Sequence, residues 1–123
     1  MRLEFPREAR LVRRGDFDAV YRAGKRRSSS HFTVFFRANQ LPVSRFGFSI
    51  KKALGGAVVR NRMKRRLREA VRLARVGQAG AVDVVINPKK SLLGVEFAAV
   101  LNEVRRAFVV IEQRVKAGGA GAR

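Results

Sequence analysis

Residues 19 to 68 of the chain, 50 in succession, contain no Asp or Glu, although the same stretch carries 14 Lys and Arg side chains. Apolar residues recur within it at the spacings typical of strands and of a helix. Each of its elements must therefore bury one face and turn a cationic face outward, because unpaired Lys and Arg are almost never fully buried. The whole chain has 28 Lys and Arg against 9 Asp and Glu, a formal net charge of +19. This concentrated excess predicts a polyanionic partner.

Length and composition exclude several classes of protein. A chain of 123 residues fits one domain with one core, and we predict that domain over residues 1–116. A hydrophobic fraction of 46%, with nine Phe, is too high for a disordered basic tail. The lack of cysteine excludes disulfides and thiolate chemistry, and a single histidine, His31, leaves little for a metal site, so we predict none. No apolar run resembles a signal peptide or a membrane span, so we expect a cytoplasmic protein.

The spacing of apolar residues and of glycines predicts an alternation of helices and strands. An extended N-terminal arm over 1–13 precedes a short helix over 15–24 and a basic turn at 25–30 that can hold an edge strand. Strands follow over 31–37 and 44–51, then a long helix that begins after Gly55-Gly56 and runs to about Arg75, a central strand over 81–86 and a last helix over 95–115. We expect the Ala/Gly-rich residues 117–123 to form a flexible tail.

Two of these strands divide their side chains between an apolar and a second face, because alternate residues of a strand point to opposite sides. In the strand over 44–51 the apolar side holds Phe46, Phe48 and Ile50, and the other side holds Arg45, Gly47, Ser49 and Lys51. In the strand over 31–37 the apolar side holds Phe32, Val34 and Phe36, and Phe35 shares the other side with Thr33 and Arg37. The second faces therefore combine an aromatic ring with basic side chains.

The predicted long helix carries a row of cations opposite its apolar side. We call this row, together with the neutral Asn61 that lies within it, the cationic ridge, and its residues are Arg60, Asn61, Arg62, Lys64, Arg65, Arg66 and Arg68. A solvated surface helix is the ordinary interpretation of a charge run, but such helices mix signs and this one has Glu69 as its only acid. A helix lying on an anionic membrane is a second alternative, although small apolar residues and the lack of Trp fit packing against a sheet better.

The order of motifs from residue 46 to residue 70 resembles the signature of the bacterial ribonuclease P protein subunit. The residues that carry the resemblance are Phe46-Gly47-Phe48-Ser49-Ile50, Lys51-Lys52, Gly55, Ala57-Val58-Val59-Arg60-Asn61-Arg62 and Lys64-Arg65-Arg66-Leu67-Arg68-Glu69-Ala70. The resemblance extends through most of the chain in order, from Asp16-Phe17 to the strand Asp83-Val84-Val85-Ile86. The chain departs from the family pattern at Lys51-Lys52-Ala53, where Ser-Lys-Lys is frequent, and at Gly55-Gly56, where many members have Gly-Asn.

The resemblance implies an α+β fold of one domain, with element order αβββαβα and a central, mostly antiparallel sheet. It also implies a left-handed βαβ crossover, as in the second domain of a small-subunit ribosomal protein, although the general rule favours the right-handed connection. In the family a large RNA is the catalyst, and the protein binds both this RNA and the 5′ leader of precursor tRNA. Hydrolysis would use Mg²⁺ held mainly by the RNA, with no organic cofactor, no catalytic residue in the protein and one protein monomer per RNA.

The resemblance also assigns residues to two surfaces. The catalytic RNA would contact the seven residues of the cationic ridge together with Lys51 and Lys52. The leader would lie in a cleft between the first helix and the sheet, against Phe17, Tyr21, Phe35, Arg37, Arg45 and Ser49. Aromatic rings beside cations suit an unpaired strand, because stacking tolerates any base. Each of these aromatic rings could instead belong to the core.

Two other classes of function remain open from the residues alone. A small basic α+β domain also suits a ribosomal or other structural RNA-binding protein, which the charge statistics cannot separate from a processing subunit. A DNA-binding regulator would use the long helix for base recognition, but so many cations leave few neutral side chains for reading bases. Cleavage by the protein itself is disfavoured, because the two carboxylates of the first helix, Asp16 and Asp18, point in different directions.

Overall fold

The structure, a computed structural model, describes residues 7–75 and 81–121, with side chains described as far as residue 116. Within these residues three α-helices and four β-strands follow one another in the predicted order αβββαβα. The helices are α1 (Arg14–Ala23), α2 (Ala57–Ala74) and α3 (Phe97–Gly121), and the strands are β1 (Lys25–Ser28), β2 (Phe32–Ala38), β3 (Arg45–Phe48) and β4 (Val82–Pro88). Short 3-10 segments cover Arg7–Ala9, Lys52–Leu54 and Lys90–Gly94.

The strands form one mixed sheet with the order β1-β2-β4-β3. The pairs β1/β2 and β2/β4 are antiparallel, whereas β3 and β4 run parallel. Parallel neighbours need a crossover, and α2 provides it between β3 and β4. The predicted α+β fold with a mostly antiparallel central sheet is therefore confirmed, including the edge strand β1. The left-handed sense of the crossover stays a prediction.

One face of the sheet forms the main core with α2 and α3. The alternation predicted from the sequence holds, because Phe32, Val34, Phe36 and Phe46 are all buried on this face. The helices contribute Met63, Leu67 and Val71 from α2 and Val100, Val104, Phe108 and Ile111 from α3. The Phe46 ring stacks on the Phe108 ring at a centroid distance of 5.3 Å. The apolar side of α2 is thus buried in the protein's own core, and its cationic side faces outward.

The opposite face of the sheet packs against α1 and the N-terminal segment. Leu11, Val20 and Val85 are buried there, and Phe17 and Phe35 pack against them while partly exposed. The backbone N–H of Leu11 donates to the carbonyl of Phe46 at 2.8 Å, which adds the N-terminal segment to the edge of β3. The predicted extended arm is therefore a 3-10 turn over Arg7–Ala9 followed by this contact, and residues 1–6 of the arm lie outside the described residues.

Strand β3 ends sooner than its alternation predicts. The N–H of Ser49 still donates to the carbonyl of Ile86 at 3.1 Å. In the parallel register the carbonyl of Ser49 would next accept from residue 88, which is Pro88 and has no N–H. The chain then leaves the sheet through Lys52–Leu54 and enters α2 directly after Gly56, as predicted.

Helix α3 also differs from its predicted bounds. It begins at Phe97 rather than at residue 95, because residues 90–94 form a 3-10 segment first. It continues to Gly121, so most of the predicted tail belongs to the helix, and residues 122–123 lie outside the described part of the chain. That the tail is flexible stays a prediction. Among the described helices none is long and apolar enough to span a membrane.

Candidate nucleic-acid interface

The cationic ridge runs along the outer side of α2. Asn61, Arg62, Lys64, Arg65 and Arg68 are exposed, while the opposite side of the helix is buried in the core. The neighbouring acid, Glu69, is paired with Arg72, whose Nε donates to Glu69 Oε1 at 3.0 Å. This hydrogen bond lowers the pKa of Glu69, so the carboxylate is ionised and its charge is already neutralised. The ridge therefore presents unopposed positive charge, as a phosphate backbone requires.

Two residues of the ridge have structural partners that the sequence did not indicate. The Nε of Arg60 donates to the carbonyl of Gly55 at 3.1 Å, at the start of α2. The Nη1 of Arg66 donates to the carbonyl of Leu92 at 2.9 Å and also to the carbonyl of Val95. Arg66 thereby ties α2 to the segment that leads into α3. The acceptor of Arg60 lies just before the helix begins, and those of Arg66 lie 26 and 29 residues further along the chain. A helical wheel of α2 includes none of them, so it cannot separate these two arginines from their neighbours.

The predicted cleft lies between α1 and the sheet, and two of its aromatic residues meet there. The rings of Tyr21 and Phe35 are in edge-to-face contact at a centroid distance of 4.9 Å. The hydroxyl of Tyr21 donates to Asn87 Oδ1 at 3.1 Å, which fixes the ring over the sheet. Tyr21 is nevertheless 37% exposed, so part of its ring is accessible to a ligand. Asn87, which orients this ring, was not among the predicted site residues.

A depression of about 370 Å³ continues the cleft from Phe35 toward the start of α2. Its lining includes the exposed cations Arg26, Lys51 and Lys90. The structure thus brings Lys51, which we assigned to the catalytic-RNA surface, next to Phe35 of the leader cleft, while Lys52 lies beside it and is exposed. Arg26 and Lys90 were missed, although Lys89-Lys90 directly after the central strand was a visible signal.

Phe17, the third predicted aromatic residue, lies over the bare backbone of Gly47. A Cβ atom at Gly47 would stand 2.5 Å from Phe17 Cζ and 2.9 Å from Leu11 Cβ. Such distances force neighbouring groups apart, so a glycine here allows α1 and the N-terminal segment to approach β3. Phe17 also lines a pocket of about 290 Å³, and Lys64 and Arg68 of the ridge line the same pocket.

Substitution Gly47→Ala is expected to lower the free energy of unfolding by about 1–3 kcal/mol, because the added methyl group overpacks this contact. Gly15→Ala is the matched control, since a Cβ atom there has no neighbour within 4 Å. In an α-helix that replacement should raise stability by roughly 0.5–1 kcal/mol. Urea denaturation followed by circular dichroism measures both. Equal effects in the two variants would contradict the close approach at Gly47.

The predicted cleft residue Arg45 is engaged within the protein. Its Nε and Nη2 donate to Oδ1 and Oδ2 of Asp83 at 2.9 and 2.7 Å, and its Nη1 lies 3.5 Å from Asp16 Oδ2 on α1. Donation to the Asp83 carboxylate is the main reason that the pKa of Arg45 is raised. Asp83 is fully buried and also accepts from Asn39 Nδ2 at 2.8 Å. We call Asp16, Asn39, Arg45 and Asp83 the Asp83 network.

The remaining predicted residues occupy the same side of the sheet. Arg37 stands opposite Asp83 in the β2/β4 register and is partly buried, and Ser49 is partly buried beyond the end of β3. Within residues 7–75 and 81–121 no three His, Cys, Asp or Glu side chains come together in a way that could hold a metal ion. The carboxylates of the described residues that lie nearest the cleft, Asp16 and Asp83, both face Arg45.

The mixed sheet, the cationic ridge and the aromatic cleft define a small α+β protein built to bind nucleic acid. A family model described as Ribonuclease P matches residues 5–112. The ribonuclease P protein component of Oleidesulfovibrio alaskensis is 44% identical over 88 residues, which is 70% of each chain. That of Syntrophus aciditrophicus is 33% identical over 103 residues, 84% of this chain and 87% of the relative. The chain belongs to the bacterial ribonuclease P protein family.

Solved structures agree with this assignment. The RNase P protein from Thermotoga maritima superposes with a TM-score of 0.73 at 30% identity, covering 80% of this chain and 94% of that one. An RNase P protein from Staphylococcus aureus shares the fold, with a TM-score of 0.73 at 24% identity. The chain is therefore a subunit of ribonuclease P, an endoribonuclease and ribonucleoprotein of tRNA processing, and it associates with ribonuclease P RNA.

Proposed function

We propose that the protein holds two RNA ligands on two surfaces, the catalytic RNA on the cationic ridge and the 5′ leader of precursor tRNA in the cleft. The observation that carries the proposal is the exposed ring of Tyr21, which contacts Phe35 edge-to-face and donates to Asn87. Phe35 and Asn87 both line a depression that also contains the cations Arg26, Lys51 and Lys90. A ring in that position can stack on an unpaired base while nearby cations neutralise its phosphates. This combination tolerates any leader sequence, as a subunit serving many precursors requires.

The catalytic chemistry is proposed to belong to the RNA. What supports this is that three carboxylates are already paired with arginines, since Asp16 and Asp83 face Arg45 and Glu69 faces Arg72. Over residues 7–75 and 81–121 no cluster of acidic side chains offers the several oxygen ligands that Mg²⁺ takes. The ridge would instead act by neutralising phosphates of the catalytic RNA, which lowers the repulsion between closely packed RNA segments. The protein's part in removing the leader is therefore to bind and to orient, and Mg²⁺ is held mainly by RNA.

The experiment that tests the proposal measures cleavage of a precursor tRNA by the matching catalytic RNA at low Mg²⁺. The reaction is run with the protein, without it, and with the protein alone. We expect strong stimulation only where RNA and protein are together. Cleavage by the protein alone would contradict the assignment of chemistry to RNA. Association with ribosomal subunits and no effect on cleavage would indicate a structural RNA-binding protein instead.

Substitution Tyr21→Ala is expected to weaken binding of the precursor by about 1–3 kcal/mol, the usual contribution of one stacked base. Affinity for the catalytic RNA alone should not change. Tyr21→Phe keeps the ring and loses the hydrogen bond to Asn87, so its effect should be smaller. Val109→Ala, on the exposed side of α3, is the control. The measurement is the difference in affinity between precursors with and without a leader, and an equal loss for both would contradict the cleft assignment.

A further inference from the structure

A second depression lies on the other side of the cationic ridge, between α2 and the start of α3. Its volume is about 510 Å³, and we call it the ridge groove. Its walls come from α2, and its apolar floor comes from the segment before α3 and from the first residue of α3. Its lining residues are Arg62, Arg65, Arg66, Glu69, Leu93 and Phe97. Leu93 and Phe97 pack against the core with one side and remain partly exposed on the other. None of the residues predicted for the leader cleft lines this groove.

The floor of the ridge groove is held in place by Arg66. Its guanidinium donates to the carbonyls of Leu92 and Val95, which flank Leu93 and immediately precede α3. Leu92 itself is fully buried, so the segment is anchored from both the core and the helix. A surface that is fixed before binding loses little conformational entropy when a ligand arrives. The partly exposed ring of Phe97 is therefore a preformed platform and not a side chain that must be ordered first.

The charges along the groove are unequal at its two ends. Arg62 and Arg65 are exposed, and the described hydrogen bonds include none that engages either guanidinium. At the other end the carboxylate of Glu69 is ionised, since its hydrogen bond with Arg72 lowers its pKa. A phosphate is favoured beside the two arginines, because the charge of Glu69 at the other end is already neutralised by Arg72. An apolar floor between these ends suits the flat face of a base, and a carboxylate accepts hydrogen bonds from amino groups on base edges.

We propose that the ridge groove is a nucleobase site, in which one unpaired nucleotide of the catalytic RNA stacks on Phe97 while its flanking phosphates lie on Arg62 and Arg65. The inference rests on the proposed function, because it takes the ridge to be the surface that faces this RNA. It adds to phosphate neutralisation a contact that a duplex cannot make, since a paired base is not free to enter a groove. The ridge then recognises an unpaired position in the RNA as well as its charge.

Because the protein has no tryptophan, Phe97→Trp creates a single fluorescent reporter on the floor of the groove. A base stacked on the indole should quench its emission when the catalytic RNA binds. Val109→Trp is the matched control, since residue 109 lies on α3 and is 56% exposed but does not line the groove. Its emission should respond little to the same RNA. Normal binding with no greater quenching at residue 97 than at residue 109 would overturn the proposal.

A second experiment measures affinity for the catalytic RNA directly and needs no fluorescent reporter. Phe97→Leu keeps apolar contact with the core but removes the aromatic face, and it should lower affinity for the catalytic RNA by roughly 5- to 150-fold, the equivalent of one stacked base. The dependence of log affinity on log salt should stay the same, because no phosphate contact is lost. Wild-type affinity in Phe97→Leu would overturn the nucleobase site while leaving the ridge intact. Failure of the unsubstituted protein to bind the RNA would instead contradict the proposed function.

Discussion

Replacing Arg62 and Arg65 together by alanine is expected to lower affinity for the catalytic RNA by roughly 10²- to 10⁴-fold at moderate salt, since a hydrogen bond to a charged group contributes about 1.5–3 kcal/mol. Both side chains are exposed on α2. Their removal leaves no buried group unpaired, so the fold should be unaffected. The loss of affinity should therefore exceed the loss of stability by a wide margin, which separates a binding role from a structural one.

The salt dependence of binding gives the sharper measurement for this variant. Each lost phosphate contact should reduce the slope of log affinity against log salt by about 0.7–0.9. The matched control removes two other exposed arginines, Arg105 and Arg106 of α3, and changes the net charge by the same amount. If charge alone governs binding, both double variants should lose affinity equally. That outcome would contradict a specific role for the ridge, whereas a large loss confined to Arg62 and Arg65 supports it.

Which residues of each helix and strand face the core could be predicted from the sequence, because this depends only on the local periodicity of apolar residues. Alternation correctly assigned Phe46 to the core and Phe35 to the other side of the sheet, and helical spacing correctly placed Met63 and Leu67 inward. These assignments need only the geometry of a strand or a helix. The side of a helix or strand on which a residue lies is therefore predictable without knowing which other elements pack beside it.

Contacts between elements could not be predicted in the same way. Arg45 and Asp83 meet because β3 and β4 are parallel neighbours in a register that pairs these two residues, and neither strand reveals that register alone. Arg66 likewise finds its acceptors at Leu92 and Val95 only after α2 has packed beside the segment preceding α3. One signal was visible, because Asp83 is the only charged residue in an otherwise apolar predicted strand over 81–86. A buried carboxylate in that setting calls for a cationic partner.

The Asp83 network leads to the second large prediction. Arg45→Ala should lower the free energy of unfolding by about 3–5 kcal/mol, because it leaves the carboxylate of Asp83 buried without its cation. Asn39 alone cannot compensate, since it supplies one neutral donor. Glu69→Ala is the matched control. It also breaks an Arg–carboxylate pair, but an exposed one, so its effect should stay within about 1 kcal/mol. Urea denaturation measures both, and similar losses would contradict a structural role for Arg45.

The same network should also support leader binding, because Arg45 contacts Asp16 of α1 as well as Asp83 of the sheet. Asp16 lies in the first turn of α1, close to Phe17 and on the helix that carries Tyr21. Asp16→Ala should therefore weaken leader-dependent binding of the precursor by several-fold with little loss of stability, since the buried Arg45–Asp83 pair stays intact. Asp18→Ala, two residues along the helix and exposed, should change neither quantity. An unchanged leader effect in Asp16→Ala would show that the cleft keeps its shape without this contact.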